Sequence, residues 1–265
     1  MTSTLTTFLS ITNNYSKWIE LTAADPTVAS QTEYYKANIA SVTSPDELVN
    51  DYKLFSYALT AYGLGDQVYA KALYKQVLSE GADSKSLGAK LGNLGTLELA
   101  KTFNFEENGT STTTSEAVQT GVVDQYIAQK LEEKQGESNE GAQLALYFYR
   151  NASKIDSVYD ILADKKLLTT VYTALGLSEY TAAMDIDRQA ALLTKALDIS
   201  DFQDPQKLTS FIAKFASLYD AKNNDTASDY VNALFGTSSS SGGVVSIGVD
   251  LLSSVQGLSL GGSWR

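Results

Sequence analysis

Cysteine and histidine are both absent from the 265 residues. Without thiols there is no disulfide framework, no thiolate nucleophile and no iron–sulfur site. Without imidazole the chain lacks the usual general base and the commonest nitrogen ligand for zinc. Most familiar catalytic constellations are thereby removed, and no cofactor or metal is expected. Positive charge is scarce as well: 20 Lys and Arg face 31 Asp and Glu, a net charge of −11. No basic run exceeds the pair Lys165-Lys166. Nucleic-acid binding, which depends on phosphate neutralisation, is disfavoured, and so is attraction to anionic membranes. No window approaches ~18 uninterrupted apolar residues, so no transmembrane helix is predicted. The first basic residue is Lys17 and no apolar run follows the start, so no cleavable secretory signal is expected.

Proline is also rare, and its three occurrences are informative. Asp25-Pro26, Ser44-Pro45 and Asp204-Pro205 each place a capping residue before the one helical position that suits proline. Glu47, three residues after Ser44, completes the sequence of a capping box. Apolar residues then recur at helical spacing. Lys53–Leu64 carries Leu54, Phe55, Ala58, Leu59 and Tyr62 and stops at Gly63, which predicts a left-handed helix terminus. Asp83 is read as the cap of one helix running through Leu87, Leu91, Leu94 and Leu97 to Phe103. Val118 to Leu131 is cleanly amphipathic, and Leu144–Tyr149 is apolar all round, as a buried central helix would be. The Thr/Ser-rich start, with Leu5, Phe8 and Leu9, reads as a frayed helix or a partner-docking segment. Strand-like alternation is weak throughout. The predicted fold is all-α, a multi-helix bundle-like domain over residues 1–235.

Two segments interrupt this pattern. Residues 106–115 contain no apolar side chain and read as an exposed linker, the best candidate boundary. After Gly236, a Ser/Gly stretch leads into an apolar tail, so 236–265 is assigned as a flexible C-terminal tail. Val249, Leu252, Val255, Leu258 and Trp264 are its candidate partner-binding residues. Such a tail either docks on its own domain or meets a partner.

The Lys53–Leu64 stretch has an echo. At a shift of 113 residues, Lys53, Leu54, Thr60, Ala61, Gly63 and Leu64 match Lys166, Leu167, Thr173, Ala174, Gly176 and Leu177. Further on, at a shift of 121, Leu87, Leu94 and Lys101 align with Leu208, Phe215 and Lys222. Two related helical halves are expected, around 45–105 and 160–223. The period is too long for a solenoid.

The motifs Thr22-Ala-Ala-Asp-Pro26, Glu33-Tyr34-Tyr35, Ala61-Tyr62-Gly63-Leu64, Asn139-Glu-Gly141, Leu144-Ala-Leu-Tyr-Phe148, Tyr159-Asp-Ile-Leu162 and Asp187-Arg-Gln-Ala190 occur in that order. In them the chain resembles the bacterial domain-of-unknown-function family 1217, from about Thr22 to Ala221. The resemblance implies an all-helical, largely alphaproteobacterial protein whose gene often lies near flagellar genes. It implies no catalytic residues.

Other candidate sites have plainer readings. Asp185-Ile-Asp187-Arg188 suits a helix cap better than a metal site, which needs more oxygen ligands. Gly63-Leu64-Gly65 and Gly92-Asn93-Leu94-Gly95 follow no predicted strand and lack a phosphate-loop lysine. The expected function is therefore non-enzymatic: a protein-interaction or structural protein, flagellum-associated, with a protein partner. A homo-oligomer is compatible with this reading, and the expected location is the bacterial cytoplasm or the flagellum. The alternatives are a small-molecule binder or an unusual carboxylate/tyrosine enzyme with its cleft between the halves, and a flagellar export substrate or chaperone.

Overall fold

The computed structural model describes residues 3–223. The end of the expected helical domain, residues 224–235, and the tail with Val249, Leu252, Val255, Leu258 and Trp264 lie outside the described residues. All regular structure among the described residues is helical. The α-helices are α1 (Thr4–Thr12), α2 (Tyr15–Ala23), α3 (Pro26–Asn38), α4 (Pro45–Asn50), α5 (Tyr52–Ala61), α6 (Lys71–Glu80), α7 (Leu87–Lys90), α8 (Leu94–Thr102) and α9 (Phe105–Asn108). They continue with α10 (Val122–Gly136), α11 (Glu140–Asn151), α12 (Val158–Ala163), α13 (Lys165–Leu175), α14 (Ile186–Ala196) and α15 (Pro205–Asn223). Short 3-10 turns join several of them. No helix among the described residues is long and apolar enough to cross a membrane.

The proline-marked starts form as expected. The Asp25 side chain accepts from the Thr27 N–H, and Asp204 accepts from Gln206 and Lys207. Ser44 accepts from the Glu47 N–H, but Glu47 reaches one residue further back than a capping box requires. Its carboxylate takes the N–H and hydroxyl of Thr43, at 2.7 and 2.9 Å. The helix expected from Asp83 to Phe103 is instead two. Gly92, at φ 68°, ends the first, while Ser86 and Asn93 cap the pieces and Leu91 is left exposed.

Two apolar cores result. The first collects Val28, Tyr35 and Ile39 from α3 and its following turn, Leu48, Leu54, Phe55 and Leu59 from α4 and α5, Tyr74 and Leu78 from α6, and Phe103. The second collects Leu144, Phe148, Ile161, Leu167, Val171, Leu193, Ile212 and Phe215 from α11 to α15. Helix α10 serves both, with Val122, Val123, Tyr126 and Ile127 in the first and Leu131 in the second. The N-terminal segment is neither frayed nor free: Phe8 and Ile11 of α1 are fully buried in the second core. Thr4 anchors α1 by donating its N–H and hydroxyl to the Asp220 carboxylate, at 3.0 and 2.6 Å.

Residues 106–115, expected as an exposed linker, complete α9 and a 3-10 turn, Gly109–Thr114, in which Thr112 and Thr113 are buried and the other residues of the segment are exposed. The Thr113 hydroxyl donates to the Val42 carbonyl at 2.6 Å, and that of Thr112 to Gly109 at 2.8 Å. A threonine whose hydroxyl is satisfied by a carbonyl can be buried, so a segment without apolar residues need not be exposed throughout. The compact unit runs from Met1 to Asp220, straight across this segment; a second unit begins at Ala221.

The burial of tyrosine has a consequence for pH dependence. The Tyr62, Tyr74 and Tyr126 hydroxyls are pushed up to about 12, chiefly by burial. Burial likewise raises Tyr35 and Tyr147 well above the ordinary 10.0, helped by Tyr62 and by Asp164 respectively. Below pH ~10 these groups are protonated in folded and unfolded chains alike, and their contribution is intact. Above it the unfolded chain ionises first, binds fewer protons, and stability falls. With no histidine to titrate, the urea midpoint is expected to stay level from about pH 7 to 9 and then drop between about pH 10 and 12. Denaturation curves followed by circular dichroism at each pH check this; a step near pH 6.5 would contradict it.

Candidate functional site

The side chains with most to offer chemically occur twice. In the first half, the Tyr34 hydroxyl donates to Asp51 Oδ2 at 2.9 Å, while Asp51 Oδ1 caps α5 by accepting from the Lys53 and Leu54 N–H groups. The Lys53 ammonium lies 4.5 Å from the centre of the Tyr34 ring. In the second half, Tyr147 donates to Asp164 Oδ2 at 2.6 Å, and Asp164 Oδ1 caps α13 at Lys166 and Leu167. Lys166 lies 4.8 Å from the centre of the Tyr147 ring. Every member is shifted by 113 residues.

The correspondence continues on both sides. Asn38 and Asn151 each donate to the carbonyl of their tyrosine, and Ser44 and Ser157 cap α4 and α12. At the far ends of α5 and α13, Gly63 and Gly176 take the left-handed conformation, φ 75° and 66°. The Leu64 and Leu177 N–H groups then close back on Leu59 and Tyr172, both at 2.9 Å. Two bonds of this kind satisfy carbonyls that a helix end otherwise leaves unpaired, and glycine adopts the required φ without a steric penalty. The repeated geometry therefore reaches back to Tyr34 and Tyr147, ahead of the starts expected near 45 and 160.

The two copies differ in what covers them. Tyr147 is 5% exposed. The end of α5 lies against it, so that a Cβ on Gly63 would sit 3.5 Å from the Tyr147 ring. Tyr34 is half-buried and instead lines an open groove of about 260 Å³ between α3, α5 and α10. Its other walls include Tyr52, Lys53, Tyr57, Tyr126 and Lys130. The floor is a stack in which the Tyr57 ring centre lies 4.4 Å from Tyr35 and 3.7 Å from Tyr126. Both repeat tyrosines have raised pKa values, Tyr34 through its hydrogen bond to Asp51 and Tyr147 through burial first and Asp164 second. Neither is poised to lose its proton near neutral pH.

The difference in cover predicts a difference in stability. Asp51→Ala removes a partly exposed cap and is expected to cost about 1 kcal/mol. Asp164→Ala also leaves the buried Tyr147 hydroxyl without an acceptor, so about 2–4 kcal/mol is expected. Paired urea titrations of the two variants check the ranking, and equal losses would refute it.

A second cluster lies where α10 meets α11. Arg150 donates to both Glu132 oxygens, at 2.5 and 2.9 Å, and to Gln125 and Gln129. The Glu132 side chain is 4% exposed. Above it is a cavity of about 370 Å³ lined by Thr12, Tyr15, Leu131, Leu146 and Tyr149. The charged groups at its floor are already engaged with each other. Asp185 behaves as a cap, accepting from the Asp187 N–H. Among the described residues no group of three or more acidic side chains is placed to hold a metal ion.

An all-helical protein with a repeated Tyr–Asp–Lys unit, closed in one half and open in the other, is the class that the fold and site define. The family model described as "Protein of unknown function (DUF1217)" matches residues 61–208, more than half of the chain. The chain belongs to that family. Among solved structures it is similar to the X-ray crystal structure of protein AGR_C_984 from Agrobacterium tumefaciens, with 39% sequence identity and a TM-score of 0.78. That match covers 84% of this chain and 97% of the other. The comparison with curated proteins gives no match.

Proposed function

We propose that this chain is a non-enzymatic protein-interaction protein, a flagellum-associated accessory or structural component. The observation that carries the reading is the open Tyr34 groove. It exposes Tyr52 and Lys53 beside the half-buried Tyr34, and aromatic surface of this kind is enriched where proteins meet. At about 260 Å³ it is smaller than most small-molecule pockets, which begin near ~300 Å³. Its hydroxyls are engaged in structural bonds: Tyr34 with Asp51, Tyr57 with Thr32, and Tyr126 with Gln31. The flagellar part of the reading rests on the gene neighbourhood implied by the family.

The test is affinity purification of the tagged chain from a flagellated bacterium that carries the gene, followed by mass spectrometry. Enrichment of flagellar components that is lost with Tyr34→Ala would support the proposal. Recovery of the chain with no flagellar component would sink its flagellar part. A second reading, small-molecule binding, is favoured by the apolar cavity above Arg150. A ligand that raises the melting temperature of the wild type, and fails to do so when Leu146→Trp fills the cavity, would support it. In the export reading, the intact chain appears in secreted fractions.

A further inference from the structure

The repeat makes one contact with itself and leaves the matching contact open. Inside the chain, the end of α5 at Gly63 lies against Tyr147 of the second half. With the roles of the two halves exchanged, the same pairing would put the end of α13, at Gly176, against a Tyr34. Within this chain that pairing is not made. A Cβ on Gly176 would meet nothing within 4 Å, and the glycine is exposed. Tyr34 lines an open groove. The flanking residues follow the same trend: Tyr62 and Leu64 around Gly63 are buried, at 8% and 2%, whereas Leu175 and Leu177 around Gly176 are only partly buried.

Charge favours the same pairing. A helix C-terminus is the negative end of the helix dipole. Lys166, over the Tyr147 ring, stands on the closed side in the second half; Lys53, over the Tyr34 ring, is its exposed counterpart, with Lys130 in the same groove. A groove presenting an ammonium and a tyrosine face suits the carbonyl-rich end of α13.

We infer that the Tyr34 groove takes the Gly176 end of α13 from a second copy of this chain, repeating between molecules the Gly63–Tyr147 contact made within each one. The two surfaces differ, so the interface is heterologous and each bound copy presents a fresh end. Such contacts build rings or open filaments rather than closed two-fold dimers. The inference deepens the interaction reading above by naming the occupant of its groove, and it rests on that groove being an interaction surface.

The absence of cysteine makes a clean test possible. Full-length chain carrying Tyr52→Cys is mixed with full-length chain carrying Tyr180→Cys, an exposed position just past Gly176, and treated with a short bis-maleimide. A cross-linked pair is expected in the mixture, with neither variant linking efficiently to itself. In sedimentation velocity, the wild-type mass should rise with concentration. Lys53→Glu, which reverses the charge offered to the helix end at an exposed position, should weaken association at least tenfold without changing the melting temperature. A wild type that stays monomeric, association unaffected by Lys53→Glu, or self-linking equal to mixed linking would each overturn the inference. A monomeric chain that still captures flagellar proteins through Tyr34 would overturn it while leaving the interaction reading standing.

Discussion

Replacing Arg150 by alanine is expected to destabilise the protein by about 3–5 kcal/mol, because it leaves the Glu132 carboxylate buried without its counter-charge. Glu132 is among the most deeply buried acids of the chain, and the guanidinium supplies both of its oxygens with donors. Burial by itself lowers the pKa of Arg150, yet the adjacent Glu132 carboxylate holds it above its ordinary value. The guanidinium therefore keeps its charge in the buried site. Gln125 and Gln129 would lose their donor in the same step. Glu132→Gln should cost less than Arg150→Ala, since the amide still accepts one hydrogen bond and carries no charge. Replacing both partners by leucine and methionine should be far milder than either single truncation, because no unpaired charge remains. Urea denaturation of the four proteins checks the order, and additive single losses in the double variant would contradict it.

The second large loss is expected at Phe148→Ala, again about 3–5 kcal/mol, as a buried ring is deleted and a cavity is left in its place. Phe148 is fully buried on α11, with ring centres 5.1 Å from Phe202 and 5.2 Å from Phe211. It joins the central helix to the turn before α15 and to α15 itself. Although the chain has two cores, unfolding of the unit from Met1 to Asp220 is expected to remain a single transition. Helix α10 is embedded in both cores, and α1 reaches from the N-terminus into the second, so neither core can open alone. Coincident tryptophan-fluorescence and circular-dichroism transitions check this. Separate midpoints would show the halves to be independent.

Much of this was legible in residue order. Prolines after Asp25, Ser44 and Asp204 marked helix starts, and Gly63 and Gly176 marked ends, because each depends on one residue's φ preference or one local hydrogen bond. The second copy of the Tyr–Asp–Lys unit was also readable: Tyr34, Asn38, Ser44 and Asp51 match Tyr147, Asn151, Ser157 and Asp164 at the shift that aligns Lys53 with Lys166. Seventeen residues separate each tyrosine from its aspartate. Comparison started from Lys53 misses these identities, since they are polar, isolated, and spread over a helix, a turn and a second short helix.

Other features could not be read locally. The Thr112–Thr113 segment looked exposed because its burial depends on a carbonyl of Val42, far away in sequence. The split of the Asp83–Phe103 helix at Gly92 followed from a left-handed residue in a stretch whose leucine spacing is equally good for one helix or two.

The sequence alone determined the helical class, most helix termini, the lack of thiol and imidazole chemistry, and the recurrence of one capped helix. These are properties of single residues and of spacings within a turn or two. Tertiary structure alone decided that Arg150 and Glu132 share a buried site, and that one copy of the Tyr–Asp–Lys unit is covered while the other lies open. The two units have the same residues at the same spacing; only long-range packing places the Gly63 end against Tyr147 and leaves Tyr34 facing a groove.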